Sequence, residues 1–310
     1  MSLIANIARE SKKTEKEVLS FLRNAPNKYK VYKIPKRTSG FRIIAQPVAE
    51  LKEYQRIFVG LDKFPVHSAA MAYRKGISIK DNAYHHRNGR YLLKMDLENF
   101  FNSISNSLFW KVCKDNGLAF DEFDRFTMEK LLFWNQRKTN RRGLILSVGA
   151  PSSPYLSNFI MYLFDSEIAK YCEDNGIIYS RYADDLTFST ESKGILFQVP
   201  RIVESVLKRV FGRNIIVNSG KTVFSSKAHN RHVTGITITN EGKLSLGRDR
   251  KRYIKHLVFK FISGNAADDE VTYLQGILSF SKYVEPNFVK SLGEKYSVDV
   301  IDKIMEIKNG

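Results

Sequence analysis

Apolar and polar positions along this 310-residue chain recur with two different periods, and the switches between them mark out its elements. Thr14-Glu-Lys-Glu17 has the form of a capping box, and Val18, Leu19, Phe21 and Leu22 follow at helical spacing. Asn24-Ala-Pro26 stops that helix. Tyr29 to Ile34 and Phe41 to Ala45 alternate with period two around Lys36-Arg-Thr-Ser-Gly40, which predicts a hairpin with a basic tip. Gln46-Pro47 ends it, and Leu51 to Leu61 reads as a helix. Gly76 interrupts the next stretch, and a helix is predicted from near Ser78. Tyr91 to Asp96 is an apolar strand. Helices are predicted over Ser105 to Asn116 and Asp121 to Asn135, then a strand over Leu144 to Leu146. Ser152-Ser-Pro154 opens a long apolar helix reaching about Glu173. Beyond it, Ile177, Tyr179 and Arg181 and then Leu186 and Phe188 alternate on either side of Ala183-Asp-Asp185, as in a hairpin. Ile202 to Phe211 reads as an amphipathic helix. Arg231 to Ile238 and Lys243 to Leu246 form a second hairpin across Asn240-Glu-Gly242, and three helices fill Arg248 to Gly310, the last opened by Pro286.

The charge balance adds a partner to this picture. Lys and Arg number 50 against 32 Asp and Glu, a net +18 with a pI near 9.7. Cations that neutralise phosphates release counterions, so a surplus of this size points to a polyanion. Between Lys243 and Lys260 there are seven Lys or Arg against one Asp, with Tyr253 and His256 among them, which suits the shallow groove of an RNA-containing duplex. Two cysteines, Cys113 and Cys172, are too few for a disulfide framework and lack metal-ligand spacing; they read as buried thiols in a reducing compartment. No signal peptide opens the chain and no apolar run is long enough to cross a bilayer, so a cytoplasmic location with no membrane partner is expected. His85 and His86 are adjacent on a helix and point about 100° apart, poorly placed to share a metal.

The chemistry concentrates on three acids. Asp184 and Asp185 sit side by side in Tyr-Ala-Asp-Asp, where a tight turn lets neighbouring carboxylates serve one site. Crowded carboxylates call for cations, and hard Mg2+ takes oxygen ligands. A third acid, Asp96, ends the strand Tyr91-Leu-Leu-Lys-Met-Asp96 and is followed by Phe100 and Phe101. Acids from separate strands can hold two Mg2+ ions, which activate an attacking hydroxyl and stabilise a leaving pyrophosphate.

Asp-x-x-x-Phe-Phe followed far downstream by Tyr-Ala-Asp-Asp resembles the first and third sequence motifs of reverse transcriptases. The resemblance extends over roughly residues 28 to 300, and it is closest to the bacterial retron enzymes, through Asn82-Ala-Tyr-His-His86 (an Asn-Ala-x-x-His pattern) and Val233-Thr-Gly235. It implies an α+β right-hand polymerase. An N-terminal helical extension would span 1–27, fingers 28–90, an antiparallel-sheet palm of RRM-like type 91–240 with fingers helices inserted at about 105–142, and a three-helix thumb 241–310. Catalysis would rest on Asp96, Asp184, Asp185 and Lys221, with two Mg2+ held by the three acids and the Leu97 backbone. Lys36, Arg42, Phe101, Gly149 and Ala150 would bind the dNTP, Phe101 as the ring that crowds a ribonucleotide 2′-hydroxyl and Lys221 as general acid to pyrophosphate. Asn82, His86, Val233, Thr234, Gly235, Arg248, Arg250, Lys251, Arg252, Tyr253 and Lys255 would meet nucleic acid. One departure stands out: Ser147-Val148 replaces the Pro-Gln that many relatives carry before Gly149, which removes the usual Gln contact and leaves the backbone role of Gly149 and Ala150.

The resemblance further implies copying of a cognate structured noncoding RNA, primed from a guanosine 2′-hydroxyl, to give a branched RNA–DNA molecule, msDNA, within an anti-phage defence. Template removal by host RNase H and an effector, such as an ATPase–nuclease pair, would come from other chains. Two other readings stay open here: a maturase-like or diversity-generating reverse transcriptase, which would prime from a 3′-end, and a catalytically idle RNA-binding scaffold, which would need none of the three acids.

Overall fold

Local signals set most of the element boundaries. The computed structural model describes residues 2–36, 40–61, 64–136 and 143–306; the hairpin tip at 37–39 and the basic link 137–142 lie outside the described residues. Helix α1 (Leu3–Ser11) is capped by Ser2, and α2 (Glu15–Leu22) by the Thr14–Glu17 box, with Glu17 Oε2 accepting from the Thr14 N–H at 2.8 Å. Strands β1 (Tyr29–Pro35) and β2 (Phe41–Pro47) pair antiparallel from Tyr29↔Pro47 to Pro35↔Phe41. Then come α3 (Ala49–Gly60), the short α4 (Ile79–His85) capped by Ser78 with Asp81, and β3 (Tyr91–Asp96). Helices α5 (Phe100–Ser103), α6 (Asn106–Asp115) and α7 (Glu122–Leu132) follow.

Where one helix was expected from Ser152 to about Glu173, there are two, α8 (Ser153–Ile160) and α9 (Tyr162–Asp174). Met161 has ψ at 0°, which interrupts the helical ladder between them. The predicted strand at Leu144 to Leu146 is reduced to isolated bridges of Ile145 with Ser105 and Trp134. Strands β4 (Ile178–Tyr182) and β5 (Asp185–Thr190) form the acid-tipped hairpin, and α10 (Val199–Phe211) and β6 (Val223–Ser226) come next. Strands β7 (Arg231–Val233), β8 (Ile236–Ile238) and β9 (Leu244–Ser245) make a three-stranded meander. Four helices, not three, close the described chain: α11 (Arg248–Ile262), α12 (Asp268–Val284), α13 (Pro286–Tyr296) and α14 (Val298–Glu306). The extra break is at Ser297, whose φ of 82° no helix accommodates.

The chain folds as two compact units, and the boundary runs through β3 and β5. The first comprises residues 1–75, 93–188 and 194–223. Its strands run in the order β4-β5-β3, and its core gathers Phe58, Phe109, Phe133, Phe159 and Phe164 around Leu108, Leu131 and Leu156. Phe64 lies in the middle of this aromatic set, 4.4 Å from Phe159 between ring centroids and stacked on it. The second unit comprises 76–92, 189–193 and 224–310. There Ala83 of α4, Leu92, Val233, Ile236 and Ile238 share one apolar core with Ile254, Leu257, Leu278, Leu292 and Ile304 of the C-terminal helices. No described helix is long and apolar enough to cross a membrane.

Candidate active site

In the first unit, the backbone fixes the three acids before any side chain does. Leu97 N–H donates to the Asp184 carbonyl at 3.0 Å, tying the residue after Asp96 to the turn that carries the acid pair. On the other side, Asn218 N–H donates to the Asp96 carbonyl at 2.7 Å and Glu98 N–H to that of Ile216 at 2.9 Å. Asp96 and the Asp184–Asp185 turn are thus drawn to one end of the β4-β5-β3 strands.

The turn itself is strained. Ala183 adopts φ 58°, a left-handed conformation costing a non-glycine residue about 1 kcal/mol or more. A buried network holds it. Arg181 lies fully buried on β4 and donates Nη1 to the Ala183 carbonyl at 3.0 Å. The same guanidinium grips Asp165 of α9 through Nε (2.9 Å) and Nη2 (2.6 Å) and reaches Asn158 Oδ1 of α8 at 3.2 Å. Tyr179 donates its hydroxyl to Asp165 at 2.8 Å; burial, and then the Asp165 charge, push that hydroxyl well above its usual range, so it remains a donor. Sequence patterning missed this support. The signal was present, since Asp165 occupies the helix face shared by Met161, Ile168 and Cys172, where an apolar residue belongs.

The electrostatics of the three acids suit a cation. Burial, then the charges of Asp184 and Asp96, raise the Asp185 carboxyl to about 6. Burial, and Asp96 after it, raise Asp184 as well, while Lys221 and Arg42 counter the rise. Lys94, next to the strand end and unmarked by the sequence reading, offsets the field at Asp185. Lys221 places its ammonium 2.9 Å from both Asp96 oxygens. Among the described residues no group of three or more His, Cys, Asp or Glu side chains is arranged to hold a metal ion by itself. The donor set nevertheless fits hard divalent cations: crowded carboxylates, Asp96 buried and Asp185 open to solvent, with one exposed lysine already neutralising Asp96.

Beside the acids a cleft of about 350 Å3 is lined by Lys52, Arg56, Tyr73, Phe101, Gly149 and Ala150. Gly149 sits at φ 121°, and a Cβ there would come within 3.2 Å of the Ala45 carbonyl oxygen and of Ile44. Only glycine lets this backbone close on β2, where Ala45 N–H donates to the Val148 carbonyl at 2.9 Å. Ser147 is buried with its hydroxyl unpartnered among the described residues. Phe100 is core and Phe101 is half-buried at the cleft, 6.4 Å from the ring of Tyr73. Tyr73, at φ 60° and half exposed, went unnoticed in the sequence, as did the Lys52 and Arg56 pair one turn apart on α3. Arg42 is exposed on β2 within electrostatic reach of Asp184 and Tyr73. Lys36 is exposed at the end of β1, where its N–H pairs with Gly40.

The second unit corrects part of the nucleic-acid expectation. Asn82, His86 and Val233 are 0% exposed, so their side chains pack beneath a surface and do not form it. His86 Nδ1 bonds Ser189 Oγ at 2.8 Å, and burial lowers its ring to about 3, which keeps it neutral. Thr234 and Gly235 make the β7–β8 turn with φ of 47° and 80°, both positive as a two-residue hairpin requires. The strained Thr234 is held by its hydroxyl, which donates to the Ile79 carbonyl at 3.0 Å. Arg248, Arg252, Tyr253 and Lys255 are exposed on α11, and Tyr253 lies 6.0 Å from the Tyr273 ring. Arg250 donates to the Gly235 carbonyl and keeps its charge, whereas Lys251 pairs with Glu285 and Arg252 with Asp249.

Comparison with known proteins gives the arrangement its family. The profile of the family described as reverse transcriptase (RNA-dependent DNA polymerase) matches residues 34–238. The chain is 48% identical over 284 residues to the Retron Ec83 reverse transcriptase of Escherichia coli, covering 91% of each chain. It is 29% identical to the Retron Ec86 reverse transcriptase of the same organism, over 89% of this chain and 85% of that one. Among solved structures, apo telomerase from Candida tropicalis shares the fold at a TM-score of 0.50 and 14% identity, over 89% of this chain and 57% of that chain. The helices and antiparallel strands are those of an α+β reverse-transcriptase fold. The chain belongs to the reverse transcriptases, RNA-directed DNA polymerases, and within them to the retron enzymes.

Proposed function

We propose that this enzyme copies its own structured noncoding RNA into msDNA, starting from the 2′-hydroxyl of a guanosine in that RNA. The observation that carries the polymerase chemistry is the convergence of Asp96 with the Asp184–Asp185 turn, with Lys221 on the Asp96 carboxylate. Reverse transcriptases use divalent cations, and Asp96, Asp184 and Asp185, with the Leu97 backbone, would hold two Mg2+ ions here. When bound, the ions supply an activated hydroxyl nucleophile and charge neutralisation at the phosphates.

The chain's own groups do the rest. Arg42, and Lys36 beyond it, meet the triphosphate as it enters. Phe101 closes the sugar side of the cleft and leaves no room for a ribose 2′-hydroxyl. The backbone of Gly149 and Ala150, free of any bulky side chain, lets the new base pair approach. Lys221 is 61% exposed at its side chain, free to swing from Asp96 and give a proton to the leaving pyrophosphate. Residues 28–90 would serve as fingers, 91–240 as palm and 241–310 as thumb, with Arg248, Arg252, Tyr253 and Lys255 on the product duplex. Host RNase H would trim the template, and a separate effector such as an ATPase–nuclease pair would turn msDNA into anti-phage defence.

The test is to purify the protein from a host carrying its native locus and sequence the nucleic acid that comes with it, after RNase or debranching enzyme. A short DNA released from a structured RNA only by debranching is the expected result. Unbranched cDNA would overturn 2′-hydroxyl priming, and RNA without any dNTP incorporation in Mg2+ would overturn the catalytic assignment.

A further inference from the structure

In the first unit, the loop that leads to Tyr73 is fastened to the same buried support that holds the acid turn. Arg181 N–H donates to the Ala69 carbonyl at 2.8 Å and Met71 N–H to the Arg181 carbonyl at 2.7 Å, so the loop runs parallel to β4. Asn158, itself held by Arg181, donates Nδ2 to the Ala72 carbonyl at 2.9 Å. Arg74 closes the loop from its far end, with Nη1 donating to the carbonyls of Ser68 at 3.0 Å and Ala70 at 3.1 Å. Between these anchors Tyr73 takes φ 60°, a conformation that a bulky L-residue rarely adopts. Such strain persists only where the surroundings over-determine it, and it collects at ligand sites. Ala70 and Ala72 are buried, while Tyr73 is 51% exposed and lines the cleft.

No hydrogen bond engages the Tyr73 hydroxyl among the described residues. Burial raises that hydroxyl above its usual range, and the charges of Asp184 and Tyr182 add to the rise against Arg42, so it stays protonated and able to donate. The other groups of the cleft suit different tasks. Lys52 and Arg56 carry charge, which matches phosphate better than a neutral hydroxyl. The hydroxyls of Ser147 and Ser153 are shut away from solvent, and Val148 offers no donor. Tyr73 is the lining ring set beside Phe101, with centroids 6.4 Å apart.

We propose that the Tyr73 hydroxyl donates a hydrogen bond to the 3′-hydroxyl of the incoming deoxynucleotide, so that Tyr73 selects nucleotides from which the chain can be extended; this rests on the reading of the cleft as the nucleotide site of a polymerase. A deoxyribose keeps one free hydroxyl, on carbon 3. Carbon 3 is bonded to carbon 2, so a sugar whose 2′ side meets Phe101 brings its 3′-oxygen toward the ring beside Phe101. The triphosphate on carbon 5 has to reach Asp184 and Arg42, and both act electrostatically on the Tyr73 hydroxyl. Tyr73 thus stands between the gate and the reacting end, where the 3′-oxygen belongs. An analogue without that oxygen would leave the buried side of the phenol unpaired, which rejects it more strongly than a lost apolar contact does. The selection has a use, because a nucleotide lacking the 3′-hydroxyl ends the chain.

The experiment compares wild type with Tyr73→Phe, which removes one oxygen from a half-exposed ring and should keep the wild-type urea midpoint. Incorporation of dTTP, and of ddTTP that lacks the 3′-hydroxyl, is measured on poly(rA)·oligo(dT) in Mg2+. In the variant, kcat/KM for dTTP should fall by about fivefold to tenfold, chiefly through KM, while that for ddTTP stays within about twofold. The same split should appear without chemistry, as weaker retention of dTTP but not of ddTTP in a complex whose primer already ends in a dideoxynucleotide. A preference for dTTP over ddTTP that is unchanged in both measurements would overturn the proposal. Equal losses for the two nucleotides would overturn it as well, since a ring that only shapes the cleft serves both alike. Absence of dTTP incorporation by the wild-type enzyme would count against the polymerase reading, whereas the terminated-primer complex reports on Tyr73 alone.

Discussion

Single residues in this protein divide between those that do chemistry and those that hold strain for it. Asp185 is of the first kind in the function proposed above, and its charge costs stability, because burial and two neighbouring acids oppose ionisation. Since the side chain is partly exposed, solvent screens much of that cost. Asp185→Asn is expected to abolish dNTP incorporation while raising the urea unfolding free energy by about 1 kcal/mol in the presence of a chelator. A less stable variant would mean the acids do not repel in the ion-free protein. Asp165 is of the second kind. Asp165→Asn leaves the buried Arg181 without its counter-charge and should cost about 3–5 kcal/mol, read from the same denaturation curves. Arg181 also holds the Ala183 carbonyl, so turnover should fall as well, although Asp165 belongs to the support beneath the turn. Phe101→Ala should leave dNTP use largely intact and raise relative rNTP incorporation by tenfold or more, measured as a ratio of kcat/KM values. An unchanged ratio would remove Phe101 as the gate.

Elements show how far the sequence could be read. The Thr14 capping box, the β1–β2 alternation and the acid-tipped hairpin are local patterns, and each folds as its residues dictate. The three acids were legible for the same reason: Asp96 ends β3, Asp185 begins β5, and Asp184 sits in the turn that joins two strands whose period announces it. Asn82 and His86 were legible as a motif and misread as a surface, because sequence spacing gives no depth. Asn82 on the seven-residue α4 and His86 at its C-cap are both buried, His86 against Ser189, a relation set entirely by tertiary packing. Arg181 with Asp165 was hidden likewise, since charged residues are ordinarily assigned to solvent. The burial of His86 has a measurable consequence. Its folded-state ring sits at about 3, below the usual 6.5, so the unfolded chain binds the proton first as pH falls. The stability it supports is complete above about 6.5 and is lost progressively toward 3. At pH 5 the difference is about 2 kcal/mol. Wild type should therefore lose more unfolding free energy between pH 7.5 and 5 than His86→Gln does, and parallel losses would place the ring in water.

At the scale of the whole molecule, the net charge of +18 and the acid cluster act in opposite senses on the same polyanion. In the function proposed above, binding RNA draws on the distributed cations, whereas catalysis would need three carboxylates that repel phosphate until divalent ions neutralise them. The two functions should consequently separate. In Asp184→Asn with Asp185→Asn, two negative charges disappear from the reaction centre and every surface cation stays. Affinity for a structured RNA should hold or improve by a few fold, and its steep salt dependence should persist, because counterion release depends on Lys and Arg contacts alone. DNA synthesis should be lost, and with it any msDNA copurifying from cells. Chelating divalent ions from the wild-type enzyme should do the same to synthesis and leave the salt slope of RNA binding nearly unchanged. If the double variant lost its RNA instead, the carboxylates would have to organise the RNA-bound state as well as the reaction, and the division between a neutralised catalytic end and a permanently basic binding surface would fail.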